Sequence, residues 1–399
     1  MRILFSLILI AGAARAEVVE YRNGRWFDGH RFVARTILSV DGVLANATAR
    51  PVDRVISLDG KFVIPPLAEA HNHWLEPQSI AEYNRRYLAD GVFYVMDQAN
   101  MPYVADRVRA ATNKDDTVDY AVAMLGFTGP GGHPLEVVRQ FVDMGVLPAA
   151  WKDDPDRHAV LVVSSERDID ERWPLLRAAH TDFVKVFLLY SGAPMAGFDR
   201  GIDPALVPAI VKRAHRDGLR VSAHVYDAND FRVAVRAGVD IVAHMPGTGA
   251  GEHADQLARY RITDADARLA ARKGVTVITT LGWLEEVPEL APRIEREVVI
   301  PNLKLLLRHR VRIAIGSDQF RQTPVPELFI LARLGVVSNA EIVCMATMVT
   351  PRVIFPRRKI GALTAGSEAS FLVLHDDPTR SLGAVREILL RVKKGRIVP

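Results

Sequence analysis

From residue 17 the chain opens on short β-type runs at 18–21, 36–40 and 54–58, punctuated by Asn23-Gly24, Asp28-Gly29, Asp41-Gly42 and Asp59-Gly60. Such Asn-Gly and Asp-Gly pairs are the strongest short hairpin signals, because both residues accept positive φ. The end of the chain reads the same way, with runs at 370–374 and 387–392 and a turn at Lys394-Gly395. Between these ends the pattern changes. Apolar runs at 91–96, 118–125, 183–189, 219–223, 239–243, 275–279 and 312–316 alternate with amphipathic stretches at 79–90, 169–180, 205–216, 230–237 and 265–273. With the segment leading into His71 they make eight candidate strands. Continuous apolar strands separated by helices predict a parallel sheet covered on both faces. Eight such units predict an α/β fold, a (β/α)8 TIM barrel with a small β-sandwich domain built from both termini. An open doubly wound sheet is the other arrangement the alternation allows. The expected division is 17–63 and 358–399 for the β-domain and 64–357 for the barrel.

Residues 1–16 stand apart. Arg2 gives a positive start, 3–14 is an almost unbroken apolar run, and Ala14-Arg15-Ala16 matches the small-x-small pattern before a cleavage point. The run is too short for a membrane span, so it is expected to be a secretory signal peptide cleaved after Ala16, which directs the protein to the periplasm or outside the cell. No association with the membrane is expected after cleavage. Asn46-Ala47-Thr48 fits a glycosylation sequon, a pattern common by chance.

Composition narrows the picture further. The 399 residues are 49% apolar and 25% charged, an ordinary globular balance. Lys and Arg number 51 and Asp and Glu 47, so the net charge is only +4 and a dedicated nucleic-acid binder is not expected. The densest basic clusters, 304–312 and 352–359, read as solvated faces. The single cysteine, Cys344, excludes an intramolecular disulfide and a thiolate metal cluster, and reads as a small buried residue of a helix.

In a barrel of this kind chemistry belongs at the C-terminal strand ends. The first strand ends in His71-Asn72-His73, and the fourth carries Lys185 inside an apolar run. The fifth ends in His224, the sixth in His244, and the eighth in Ser317-Asp318. Two His separated by one residue point to the same side of a strand and can chelate one ion. Imidazole suits zinc, and three or four N or O ligands leave a position open for water. A lysine buried in a parallel strand is costly as an ammonium, whereas its neutral amine can be carboxylated to a bidentate anion that bridges two metals. Asp318 can both bind metal and relay a proton.

This pattern resembles the amidohydrolase superfamily, whose binuclear members carry His-x-His, Lys, His, His and Asp on strands one, four, five, six and eight. The resemblance extends to 60–65 leading to His71, to the stretch from His224 through 237–240 to His244, and to 360–363 with Gly366. The middle stretch is similar to the prolidase and imidazolonepropionase-like branch. Pro66, Glu69 and Ser370 depart from the family's usual residues, and none is a ligand position. The resemblance implies two Zn²⁺ per chain. His71, His73 and Asp318 would hold one, His224 and His244 the other, and carboxylated Lys185 with a hydroxide would bridge them. It further implies cleavage of a C–N amide bond in a small molecule, of the dipeptide or N-acyl amino acid type, with Asp318 moving the proton.

His133, in the Gly-rich segment 129–134, and Tyr190 and Tyr226, which follow the fourth and fifth strands, are the candidate substrate-facing residues. The segment 247–251 lacks the spacing of a phosphate-binding loop and reads as a loop at the active site. Other functions compatible with the sequence are a mononuclear deaminase or cyclic amidase, a lactonase or esterase, and a non-catalytic metal-binding protein. A homo-oligomer is compatible with everything above.

Overall fold

The computed structural model describes residues 17–192 and 200–399. The signal-peptide reading of 1–16 falls outside them. The apolar runs of the middle region become the strands β1 (Leu67–Asn72), β2 (Val92–Asn100), β3 (Asp119–Met124), β4 (Val184–Phe187), β5 (Val221–His224), β6 (Ile241–Val242), β7 (Thr276–Ile278) and β8 (Arg312–Ala314). Neighbouring strands pair in parallel in the order β1-β2-β3 and β4-β5-β6-β7-β8. The two arcs meet through a parallel bridge between Ala123 and Phe183 and through Asp182 N donating to Val122 O at 2.9 Å. On the far side Ala70 N donates to Ile315 O at 2.9 Å and Asp318 N to His71 O at 2.7 Å, closing the ring. Buried residues on both faces of the strands account for their uninterrupted apolar sequences, since helices cover the outside and side chains fill the inside.

Two short strands, Phe127–Thr128 and Leu161–Val162, were not predicted. They pair with each other, and the first pairs with β4 through Val186 and Phe127. Leu125 at φ +51° and Gly126 redirect the chain after β3, so the Gly-rich segment that carries His133 lies over the mouth of the barrel. A Cβ at Gly126 would stand 2.5 Å from the Phe187 ring, which is why this redirection needs glycine.

Both termini build the β-domain. Phe62–Ile64 pairs in parallel with Val18–Phe27 and antiparallel with Phe371–Leu374, which extends to Ile388–Lys393 and Arg396–Val398. Its core is separate from that of the barrel: Phe371 stands edge-on to Tyr21 and Trp26, with ring centroids 4.9 and 5.2 Å away. The Asp41-Gly42 and Lys394-Gly395 turns form as predicted, with positive φ at all four residues. Asn23-Gly24 is not a hairpin. It is a bulge inside one ten-residue strand, where a Cβ on Gly24 would lie 2.6 Å from Trp26 Nε1, and it lets the two halves of the strand pair with different partners. Cys344 ends the Asn339–Cys344 helix and is half-buried rather than buried. Among the described residues no helix is long and apolar enough to cross a membrane.

Candidate active site

At the C-terminal mouth of the barrel the strand ends bring His71, His73, Lys185, His224, His244 and Asp318 around one cavity of about 190 Å³. Asp318 follows β8 in the left-handed region, φ +53°, a conformation that Asp and Asn accept better than other side chains. Its Oδ1 lies 3.4 Å from His71 Nε2 and 3.4 Å from His73 Nε2, and its Oδ2 lies 3.7 Å from His244 Nδ1. His71 Nδ1–H donates to Ala243 O at 2.9 Å, and His73 Nδ1–H to Ala99 O at 2.9 Å. Those two bonds leave Nε2 of each ring facing the Asp318 carboxylate. At His71, which burial keeps neutral, a lone pair meets the carboxylate, and two acceptors face to face need a cation between them.

The electrostatics agree. Burial depresses the His71 and His224 pKa values well below the ordinary imidazole value and brings His244 to about 3. These rings are neutral, as metal binding requires. Burial opposes charge on His73 too, but Asp318 and Asp97 outweigh it and raise His73 to about 9. The three His neighbours overcome burial at Asp318 and hold its carboxyl well below the usual range. Burial pulls the Lys185 ammonium down to about 7 against the pull of Asp318 and Asp97. Nε2 of His71 and Nε2 of His224 are buried without a hydrogen-bond partner, and His224 Nδ1 meets His244 Nε2 at 2.8 Å. The buried His71 and His244 and the half-buried Asp318 form a trio able to hold a metal ion. The residues present therefore fit a divalent metal.

A sequence profile of the amidohydrolase family matches residues 121–399. The chain belongs to the amidohydrolase family. Solved structures carry the likeness across the first two strands as well. A Xaa-Pro dipeptidase with methionine in its active site superimposes with a TM-score of 0.75 at 17% identity, over 96% of this chain and 99% of that one. A prolidase complexed with N-methylphosphonate-L-proline gives 0.73 at 18%, over 96% and 99%. The ochratoxinase of A. niger gives 0.76 at 17%, over 96% and 95%. A search by sequence among functionally curated proteins finds no match.

The other predicted residues of this amidohydrolase divide. His133 lines the cavity, its ring stacked on His224 at 4.6 Å and its Nδ1–H donating to Glu136. Tyr226 also lines it, with its ring 4.9 Å from His224, and burial holds its hydroxyl protonated. Tyr190 does not line it. Its hydroxyl meets that of Tyr260 at 3.1 Å and its ring lies under the Arg259 guanidinium, so it supports the wall from behind. Thr248, from the 247–251 segment, reaches the cavity with its buried Oγ1 unpartnered.

Several supporting residues went unread in the sequence. Gln98 Oε1 accepts from Ser222 Oγ at 2.7 Å and from Lys185 Nζ at 3.4 Å, while its Nε2 donates to Ala70 O. Asp97 lies 3.6 Å from His73 Nδ1 and accepts from Tyr120 and Asn100. The signal for this pair was present, because Asp97-Gln98 follows the apolar run 91–96 just as the ligand candidates follow theirs. Glu69 ties the first strand to the eighth by accepting from His71 N, Ser317 N and Ser317 Oγ. Asp230 accepts from Tyr190 N, Ser191 N and Tyr226 N, fixing the loops after β4 and β5.

Proposed function

We propose that the protein hydrolyses the C–N bond of an amide, of the kind that joins a dipeptide or an N-acyl amino acid. The observation that carries this reading is the pair of imidazole Nε2 atoms, from His71 and His73, facing one oxygen of Asp318 at 3.4 Å. His71, His73 and Asp318 would hold one metal and His224 and His244 a second. The imidazole-rich donor set favours zinc. A divalent metal there supplies a water of lowered pKa and polarisation of the scissile carbonyl. Lys185 would bridge as a carbamate: its neutral amine adds to CO₂ and loses a proton, a step that its depressed pKa supports.

The chain's own residues do the rest. Asp318, whose side chain remains 31% exposed toward the cavity, is ionised and can take the proton of the attacking water and hand it to the leaving nitrogen. Tyr226, protonated, can donate a hydrogen bond to the oxygen on which charge develops. Gln98 orients Lys185, and the hydrogen bonds to Ala243 and Ala99 orient His71 and His73. The reading extends to an exported enzyme on the strength of residues 1–16 alone.

The test is hydrolysis of a panel of dipeptides, N-acyl amino acids, N-acyl amines, lactones and aryl esters by zinc-reconstituted protein. Amide cleavage that falls by roughly 10²–10⁴-fold in Asp318→Asn, with melting temperature unchanged, is the expected result. Cleavage of esters or lactones alone, or amide cleavage indifferent to this substitution, would sink the reading.

A further inference from the structure

A helix that packs once against a barrel needs one buried stripe. In the helix Leu135–Asp143 that stripe is Leu135, Val138 and Val142. Val137 and Phe141, one helical turn apart, add a second apolar strip that the core does not cover. Both are half-buried and line the cavity that holds the His cluster, with Val138 beside them. Met101 and Leu147 continue the surface. Every charged or imidazole side chain lining this cavity is a ligand candidate or His133, so none interrupts the wall that the helix makes.

The apolar lining continues past the mouth. Phe320 follows Asp318 by two residues, and its ring stands 5.8 Å from the His73 ring and 5.8 Å from the Phe141 ring. A second cavity, of about 270 Å³, opens beyond these rings; it shares His73, Leu75, Phe141 and Phe320 with the first and adds Met144. Its lining turns polar at Arg321, which is forked onto Glu76. Phe320 is 47% exposed and Met144 67%. Large apolar side chains left in water along one path from the reacting centre add little to the stability of the fold. They gain when an apolar group displaces that water.

We infer that the substrate carries an extended apolar arm, alkyl or aryl-alkyl, which leaves the scissile bond along Val137 and Phe141 and passes Phe320 into the outer cavity. The inference rests on the hydrolase reading above and deepens it, since a short amide would leave this path unfilled. Phe141 and Phe320 are then specificity-determining residues.

The test separates binding from turnover. Hydroxamates chelate a divalent metal through their two oxygens, so acetohydroxamate and octanohydroxamate differ only in the tail they place along the path. Calorimetry on the zinc-loaded enzyme should find octanohydroxamate bound about 100-fold or more tighter, because each buried methylene is worth roughly fourfold. In the Phe141→Ser, Phe320→Ser double variant, checked for unchanged zinc content and melting temperature, the gain should fall to within about tenfold. Turnover is read in two series with N-acetyl-alanine as the common short member. One lengthens the acyl half, to N-octanoyl-alanine, and the other the amine half, to N-acetyl-2-aminodecanoate. In one of them kcat/KM should rise by about 100-fold. A tail-dependent gain that the double variant loses, without turnover of any amide, would uphold the inference and defeat the hydrolase reading. Hydroxamate binding that is absent or indifferent to tail length, a gain that survives in the double variant, or turnover indifferent to both arms would overturn the inference.

Discussion

Asp318 sits on backbone in the left-handed region. Its φ of +53° costs little for Asp or Asn and more for any branched or bulky side chain. Asparagine is therefore the substitution that removes the charge and leaves the turn intact, whereas alanine would test both at once. Two residues earlier, Gly316 packs against the first strand so closely that a Cβ would lie 2.7 Å from His71 Cβ and 2.8 Å from His71 N. Gly316→Ala must push the first strand outward, and His71 with it. We expect zinc affinity to fall by roughly 10–100-fold, the usual effect of misplacing one ligand, read by competition with a chromogenic chelator. Affinity unchanged in a correctly folded Gly316→Ala would show that His71 is not a ligand. Lys185 separates one metal from two. If it bridges, Lys185→Ala should lower bound zinc from two per chain toward one, measured by atomic emission, and abolish most activity. Full activity with one zinc would favour the mononuclear chemistry that the His71, His244 and Asp318 trio could support by itself.

At the scale of elements, the strands and the six candidate ligand positions were legible because burial on both faces writes a long apolar signal that a terminal His, Lys or Asp interrupts. Phe127–Thr128 and Leu161–Val162 left no such trace, since two residues carry no periodicity. The Leu135–Asp143 helix is strongly amphipathic, yet which way its apolar face looks depends on the redirection at Leu125 and Gly126, a tertiary fact. Asn23-Gly24 misled for the converse reason: a local turn signal was overridden by strand pairing on both sides. The helix Val325–Leu334 illustrates a support that no pattern announces. Its buried Glu327 accepts from Leu281 N at 2.7 Å and so holds the turn in which Thr280, at φ +43°, meets His244 Nδ1. Burial raises the Glu327 pKa to about 8, against the hydrogen bonds from Thr279 and Leu281 and with the neighbouring Glu69 adding to the rise. A carboxyl that titrates near 4.5 unfolded and near 8 folded binds its proton more tightly in the native state. Its stabilising contribution is therefore complete below about pH 4.5 and declines as pH rises toward 8. Glu327→Gln keeps the acceptor and removes the titration. It should melt at nearly the wild-type temperature at pH 4.5 and above it at pH 9, as read by calorimetry; parallel pH profiles would show that Glu327 does not titrate in this range.

Across the whole molecule, the β-domain is fastened to the barrel at the end away from the active site. Asp119 begins β3, at the N-terminal face, and its two oxygens serve two cations: Oδ1 accepts from Lys393 Nζ at 2.8 Å and Oδ2 from Arg358 Nη1 at 2.7 Å. Lys393 is fully buried and donates as well to the carbonyls of Lys114 and Thr117, while Arg358 also reaches Glu368 at 2.7 Å. Such a cluster is a poor source of net stability while intact, because desolvation offsets the attraction, yet removing one partner strands a charge in the interior. Asp119→Ala leaves Lys393 with carbonyls and no counter-charge, and we expect a loss of about 3–5 kcal/mol in urea unfolding, with Asp119→Asn between it and wild type. Activity per folded molecule should be unchanged, since the site lies at the opposite strand ends. The pH dependence identifies the cause. Burial lowers the Lys393 pKa and Asp119 raises it, so without Asp119 the ammonium gives up its proton at lower pH than before. The folded variant then binds fewer protons than the unfolded chain, its stability rises with pH more steeply than that of wild type, and the gap between them should narrow in alkaline buffer. A gap constant with pH would assign the loss to packing at the domain junction rather than to the stranded charge.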